Sequence, residues 1–297
     1  MSGPRFGAIE AGGTKFVCAV GTSDGKLLEQ VRIPTGAPAD TIEQVVKFFR
    51  SQRQVLQAIG IASFGPVQLD RSSPHYGFIT STPKSGWQYF DLAGAVSKRL
   101  SVSVAFDTDV NAAAEAERRW GAARGNRTFL YITVGTGIGG AAMIDDSILR
   151  GLSHPEMGHL LVPHDPIRDP FPGVCPYHGD CLEGLASGPA IEARWQADPQ
   201  TLPPDHPAWP LEADYLAKAC VNWICTVLPE KIVFGGGVMR RELFRALRVR
   251  VRDLLNGYLE FPEFAGDLEC YLVPAGLGQD AGVLGALLLA MRQAGME

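Results

Sequence analysis

The hydrophobic pattern opens with two short apolar runs, residues 6–9 and 16–20, which read as strands joined by Glu10-Ala11-Gly12-Gly13-Thr14-Lys15. A third strand is expected at 27–33, after the turn Ser23-Asp24-Gly25. Ile42, Val45, Val46, Phe49 and Val55 fall largely on one face of a helix that starts at Asp40 or Thr41 and runs to Gln57. Residues 59–63 form a short apolar strand. The stretch 64–91 is rich in Gly, Pro, Ser and Thr and reads as a long loop, ordered by Tyr76, Phe78, Trp87 and Tyr89. A strand at 102–106 and a helix at 111–120 follow. Residues 129–134 and 138–144 repeat the strand–strand opening around Gly135-Thr136-Gly137. Further helices are expected at 189–196, 211–227, 240–257 and 278–292, with strands at 231–234 and 269–273.

The repeated opening, each time with a glycine turn between its first two strands, is a coarse internal duplication. It predicts an α/β protein of two lobes with a cleft between them, which close together on substrate. Residues 1–122, completed by the C-terminal helix, make the first lobe and residues 123–297 the second. The boundary lies near 121–126. The length of 297 residues exceeds what one hydrophobic core usually serves.

Composition narrows the partners. The net charge of −5 comes without a basic block, so binding to nucleic acid through phosphate neutralisation is not expected. No apolar run approaches the roughly 20 residues that cross a bilayer. The start has no charged n-region and apolar h-region, so no signal peptide is expected. Of six cysteines, Cys18, Cys220, Cys225 and Cys270 are scattered among apolar residues, as free thiols in a reducing cytoplasm would be.

The remaining two cysteines change the picture. His159, Cys175, His178 and Cys181 form H-x15-C-x2-H-x2-C, a closed set of two imidazoles and two thiolates of the kind that structural Zn²⁺ takes. The last three lie in a run broken by Pro172, Gly173, Pro176 and Gly179, which bends tightly enough to converge on one ion. Glu156 and Glu183 sit beside these ligands, and a rigid metal loop is a good support for carboxylates that must be held still.

The glycine turns bring in phosphate chemistry. Without Cβ the backbone comes close and points successive N–H groups at an anion. Thr14 and Thr136 add hydroxyls, and Lys15 adds charge. A hairpin can need glycine for its geometry alone. A third run, Gly235-Gly236-Gly237-Val238, follows a strand and opens a helix, a favourable place for an anion. Three such runs favour nucleotide binding. In Asp107-Thr108-Asp109-Val110-Asn111, where a strand gives way to a helix, the carboxylates serve either as helix caps or as a general base.

Glu10-Ala11-Gly12-Gly13-Thr14-Lys15, Asp109-Val110-Asn111-Ala112-Ala113, the run from Thr133 to Gly140, Glu156-Met157-Gly158-His159, the Cys/His knuckle and Gly235-Gly236-Gly237-Val238 occur in one order. Together they resemble the ROK family (repressors, open reading frames and sugar kinases), a branch of the two-lobed actin-like ATPase, or ribonuclease H-like, fold. Residues 10–21 and 175–184 are most similar to the family's zinc-containing bacterial fructokinases. The resemblance implies phosphorylation of a hexose, D-fructose first and mannose or glucose as alternatives, by ATP with Mg²⁺, in a cytoplasmic homodimer. It implies Asp109 as the base. Gly65, Pro66, Thr82, Trp87, Asn111, Glu156, His159 and Glu183 would meet the sugar. Gly12, Gly13, Thr14, Lys15, Thr133, Thr136 and Gly137 would surround the phosphates, and Pro189, Gly235, Gly236, Gly237, Val238 and Met239 would border the adenosine. His159 would also hold zinc with Cys175, His178 and Cys181. Two positions depart from the family pattern: Glu10, where many relatives have an Asp that reaches the Mg²⁺ shell, and Thr108, where many have Asn. A sugar-sensing repressor of the same family would carry a DNA-binding segment before the first glycine turn, where only nine residues stand.

Overall fold

The computed structural model describes residues 3–52 and 54–296. In chain order the elements are β1 (Arg5–Ala11), β2 (Lys15–Thr22), β3 (Leu27–Pro34), α1 (Pro38–Arg50), β4 (Leu56–Ser63), α2 (Leu92–Leu100), β5 (Val104–Thr108) and α3 (Asp109–Trp120). Then come β6 (Phe129–Val134), β7 (Ile138–Ile144), β8 (Ser147–Ile148), α4 (Leu182–Ala186), α5 (Gly188–Trp195) and α6 (Ala208–Val227). The chain ends with β9 (Lys231–Gly235), α7 (Arg241–Leu255), β10 (Leu272–Pro274) and α8 (Ala281–Gln293). These fall into two compact units. Unit 1 holds Met1–Trp120, Arg150–His154 and Gln279–Glu297; unit 2 holds Gly121–Leu149 and Pro155–Gly278.

Unit 1 is built on a five-stranded sheet of order β3-β2-β1-β4-β5. The hairpin strands are antiparallel, and β1-β4 and β4-β5 are parallel. Ile42, Val45, Val46 and Phe49 of α1 and Leu92 and Val96 of α2 share one core with Ile9, Phe16, Ile59 and Ile61 of the strands. Helix α8 lies so close to β4 that a Cβ on Gly60 would stand 1.9 Å from the Ala286 carbonyl oxygen, so only glycine fits there.

Unit 2 has a five-stranded sheet of order β10-β9-β6-β7-β8. Read from β10, its pairings are parallel, parallel, antiparallel, antiparallel. Unit 1 read from β5 gives the same series, so the duplication extends to strand order and direction. The core of unit 2 gathers Leu130, Ile132 and Val134 of β6, Ile232 and Phe234 of β9, and the apolar faces of α6 and α7.

Strands β6 and β7 start and stop where the pattern predicts. Helix α1 ends at Arg50, short of the expected Gln57, because the 3.6-residue spacing stops at Phe49. Val55 lies outside the helix and is 85% exposed, and Arg53, also within the expected helix, falls outside the described residues. Helix α2, not anticipated after the long loop, is capped by Asp91, whose carboxylate accepts from the Gly94 amide at 2.8 Å. The short α4 was also not anticipated; it begins directly after Cys181, inside the stretch read as metal loop.

Candidate active site

Unit 1 brings the first glycine turn, Glu10 and the Asp107–Asn111 stretch to one end of its sheet. The parallel neighbours β1, β4 and β5 run in the same direction, so their C-terminal ends, Ala11, Ser63 and Thr108, line up. The turn Gly12–Lys15 is closed by the Gly12 amide on the Lys15 carbonyl at 3.0 Å. The end of β3 braces it, with the Thr35 amide on the Thr14 carbonyl at 2.9 Å and the Thr35 hydroxyl on the Gly12 carbonyl at 2.7 Å. Lys15 and Thr14 are exposed and Gly12 and Gly13 half-buried.

The two aspartates have different surroundings. β5 ends at Thr108 and Asp109 is already the first residue of α3, so strand alternation does not relate them. Asp107 is buried, with partners on both oxygens: its Oδ1 accepts from the Thr108 amide at 2.8 Å and from Asn111 Nδ2 at 2.7 Å, and its Oδ2 meets Arg150 Nη2 at 2.5 Å. Asp109 is half-buried and accepts from the Val110 amide at 2.9 Å. Burial pushes its carboxyl from 3.8 up to about 6, against the pull of backbone N–H groups. Glu10, on β1 and separated from β5 by β4, is pushed from 4.5 up to about 7, first by burial and next by Asp109. Lys15 partly offsets this.

Each departure from the family pattern has a local partner. A Cβ on Gly282 would stand 2.5 Å from the Glu10 carboxyl carbon, so the longer side chain occupies space that the glycine of α8 leaves open. Thr108 caps α3, its hydroxyl oxygen accepting from the Asn111 amide at 3.1 Å. The charges of Asp109 and, less strongly, Asp280 add to the burial that raises Glu10.

The other unit 1 candidates are spread through the long loop. Gly65 and Pro66 are half-buried just after β4. Thr82 and Trp87 are 2% and 0% exposed. Trp87 packs against Phe16, Phe64 and Phe90 and donates its indole N–H to the Gly36 carbonyl at 3.0 Å. Both side chains thus hold the loop from inside. Asn111 is 1% exposed, and its amide nitrogen is engaged by Asp107.

Unit 2 gathers three stretches that are far apart in sequence. The turn Gly135–Gly137 is closed by the Gly135 amide on the Gly137 carbonyl at 2.9 Å. The Gly188 amide, at the start of α5, donates to the Gly135 carbonyl at 2.7 Å, which places Pro189 beside the turn. The Val238 amide donates to the Val134 carbonyl at 3.0 Å, which draws in Gly235–Met239. Gly236 has φ 90° and a Cβ there would meet the Val134 carbonyl at 2.2 Å, so the residue must be glycine. Thr133 is half-buried and Thr136 exposed at this edge. Gln200, which no sequence signal marked, donates its amide to the Gly237 carbonyl at 2.7 Å.

The four metal-ligand candidates converge. Their ligand atoms all lie within 4.8 Å of one another. His159 Nδ1 is 3.5 Å from Cys181 Sγ and 3.7 Å from Cys175 Sγ, and Cys175 Sγ is 3.7 Å from His178 Nδ1. Bonds of about 2.3 Å to sulfur and about 2.0 Å to nitrogen give tetrahedral edges of about 3.3–3.8 Å, so the four fit Zn²⁺. The Cys175 amide and carbonyl both bond Gly179, at 3.2 and 2.9 Å, and this turn brings His178 back toward Cys175. Burial first, and then neighbours that include Cys175, pushes the Cys181 thiol up to about 11, a cost that a bound cation removes. The loop is anchored by Asp169, which accepts from the Tyr215 hydroxyl at 2.6 Å and meets Arg194 Nη2 at 3.2 Å.

Glu183, on α4 just beyond Cys181, faces both features of unit 2. It accepts from the Ile138 amide at 2.8 Å and stands 3.9 Å from His159 Nε2. Glu156 is exposed just before the turn Met157–His159.

Comparison with known proteins places the chain in a family. The sequence pattern of the ROK family matches residues 6–293. The putative fructokinase of Bacillus subtilis (strain 168) is 48% identical over 286 residues, covering 96% of this chain and 95% of that protein. The fructokinase of Pediococcus pentosaceus is 44% identical over 286 residues, covering 96% and 97%. In three dimensions, the ROK hexokinase from Thermus thermophilus superposes with a TM-score of 0.76 at 28% identity, covering 99% of this chain and 100% of that one. The two-sheet α/β fold is the one these kinases share, the actin-like ATPase fold, and this chain belongs to the ROK family.

Proposed function

We propose that this protein is a fructokinase, transferring the γ-phosphoryl group of ATP to the 6-hydroxyl of D-fructose. The observation that carries the choice of sugar is the gradient among relatives: four fructokinases or putative fructokinases are 41–48% identical over nearly the whole chain, whereas glucokinases are 28–32% identical. A glucokinase of Streptomyces griseus with the same fold was crystallised with glucose and AMPPNP, which supports ATP as the donor here.

Phosphoryl transfer needs the sugar oxygen in line with the γ-phosphorus while its proton leaves. Asp109 is the base: its carboxylate is half-buried, it accepts from the Val110 amide, and it stands at the start of α3. The turns Gly12–Lys15 and Thr133–Gly137 would serve the phosphates, and Gly235–Met239 with Pro189 would border the adenosine. Glu10 would hold Mg²⁺, with Asp109 beside it. When bound, the ion neutralises charge on the β- and γ-phosphates. Zn²⁺ held by His159, Cys175, His178 and Cys181 would keep the loop that presents Glu156, His159 and Glu183 to the sugar. Gly65, Pro66 and Asn111 contribute from unit 1, with Thr82 and Trp87 shaping the loop from within. The protein would act as a homodimer in the cytoplasm, away from nucleic acid and membrane. Among the described residues no helix is long and apolar enough to cross a membrane.

A panel of hexoses with ATP and Mg²⁺, compared by kcat/KM, tests the reading. Fructose should lead by at least about tenfold, since a site built to read a hydroxyl discriminates strongly. A lead for glucose or mannose would move the protein to another kinase of the family.

A further inference from the structure

Residues 150–154 follow β8 in sequence yet belong to unit 1. They form a strap with two feet. At one end Arg150 reaches the buried Asp107 carboxylate, with Nη2 2.5 Å from Oδ2. At the other, His154 Nε2 accepts from the Val67 amide at 3.2 Å, next to Gly65 and Pro66.

The first foot lies behind the base. Arg150 occupies Oδ2 of Asp107, and Oδ1 takes the Thr108 amide and the Asn111 side chain. Thr108 precedes Asp109 and Asn111 follows it by two residues, so Asp107 holds the backbone amide on one side of the base and a side chain on the other. The Thr108 hydroxyl closes the same turn on the Asn111 amide. Asp107 has 7% of its side chain exposed, and Arg150 is its ion-pair partner among the described residues. A buried carboxylate that loses its cation is strongly disfavoured where it stands, and it relaxes by moving or by taking a proton. Either change loosens the bonds that fix Asp109.

We propose that Arg150 is a positioning residue for phosphoryl transfer, holding Asp109 in place through Asp107. This rests on Asp109 being the base of a sugar kinase. Arg150 was not marked by any motif, since its partner lies 43 residues earlier in the sequence.

The test is steady-state kinetics on wild type, R150M, R150K, D107N and the R150M/D107N double variant, with melting temperatures for each. R150M should lower kcat about 10- to 100-fold, the scale of a catalytic group misplaced by about 1 Å, and leave KM for ATP within about twofold. R150K should recover at least half of the lost log kcat, because it restores the charge. The double variant should be no slower than the slower single one, since both break one linkage. A kcat for R150M within about twofold of wild type overturns the proposal, as do additive losses in the double variant. A destabilised R150M that R150K does not rescue assigns Arg150 to folding alone and also overturns it. Wild-type turnover on the hexose panel tests the kinase reading separately, and a wild type inactive on every hexose overturns both.

Discussion

Glu183 accepts a hydrogen bond from the Ile138 amide at 2.8 Å and stands 3.9 Å from Nε2 of His159, whose Nδ1 points to the cysteine thiols. One carboxylate thus ties the metal loop to the second glycine turn. The turn is shaped for it: a Cβ on Gly137 would lie 2.6 Å from Glu183 Oε2. Gly137→Ala should push the carboxylate out of place. KM for fructose is expected to rise about tenfold or more, equivalent to ~1.4 kcal/mol, with zinc content unchanged. Kinetics paired with elemental analysis checks this; an unaltered KM would mean that Glu183 has no part in holding the sugar.

How far such relationships could be read in the sequence depended on their range. The Cys/His spacing was legible because three ligands sit within seven residues, and local chain geometry forces them together. The duplication was legible because each half repeats a strand–glycine-turn–strand opening. Gly282 making room for Glu10, Gln200 on Gly237 and Arg150 on Asp107 were not, because each joins residues far apart in the chain and depends on side-chain packing. Helix α2 was hidden for another reason. Gly94, Ser97 and a nine-residue length blur its period, and its capping Asp91 stands at the end of the Gly-, Pro-, Ser- and Thr-rich stretch, where it reads as loop.

One zinc ion per chain is expected by elemental analysis of protein purified without chelator. Cys175→Ala removes one of the buried thiolates and should lose the metal. The loop from 160 to 181 then keeps the Asp169 anchor but not the knuckle, so the melting temperature should fall by on the order of 10 °C. KM for the sugar should rise with it. Metal-free wild type with a normal melting temperature would remove zinc from the account.

The raised carboxyls of Glu10 and Asp109 set a pH dependence of stability with an unusual sign. Their folded pKa values, about 7 and about 6, stand above their ordinary values of 4.5 and 3.8. The folded state therefore binds more protons than the unfolded state in that interval, and stability falls as pH rises through it. The loss starts near pH 4 and is complete above about pH 7. Asp109→Asn should raise the stability of the metal-free protein by on the order of 1 kcal/mol at pH 8 and by less at pH 5. Denaturant unfolding at the two pH values checks this; equal effects at both would mean that Asp109 titrates normally.

The same shift bears on turnover, and here the two aspartates can be told apart. Asp109 must be ionised to take the sugar proton, so kcat should fall on the acid side of about pH 6. Both oxygens of Asp107 already have partners, Thr108 and Asn111 on one and Arg150 on the other. Asp109→Asn keeps the shape and can still accept the Val110 amide through its carbonyl oxygen, but it cannot take a proton. It should lower kcat by about 10²–10⁴-fold and leave KM for ATP near normal. Its residual rate should lose the acid limb. Asp107→Asn keeps the base and loosens its mounting, so kcat should fall less, by about 10–100-fold, with the acid limb retained. The pH profile separates the two roles even where the rates overlap. If the limb disappears in Asp107→Asn and persists in Asp109→Asn, the proton goes to Asp107.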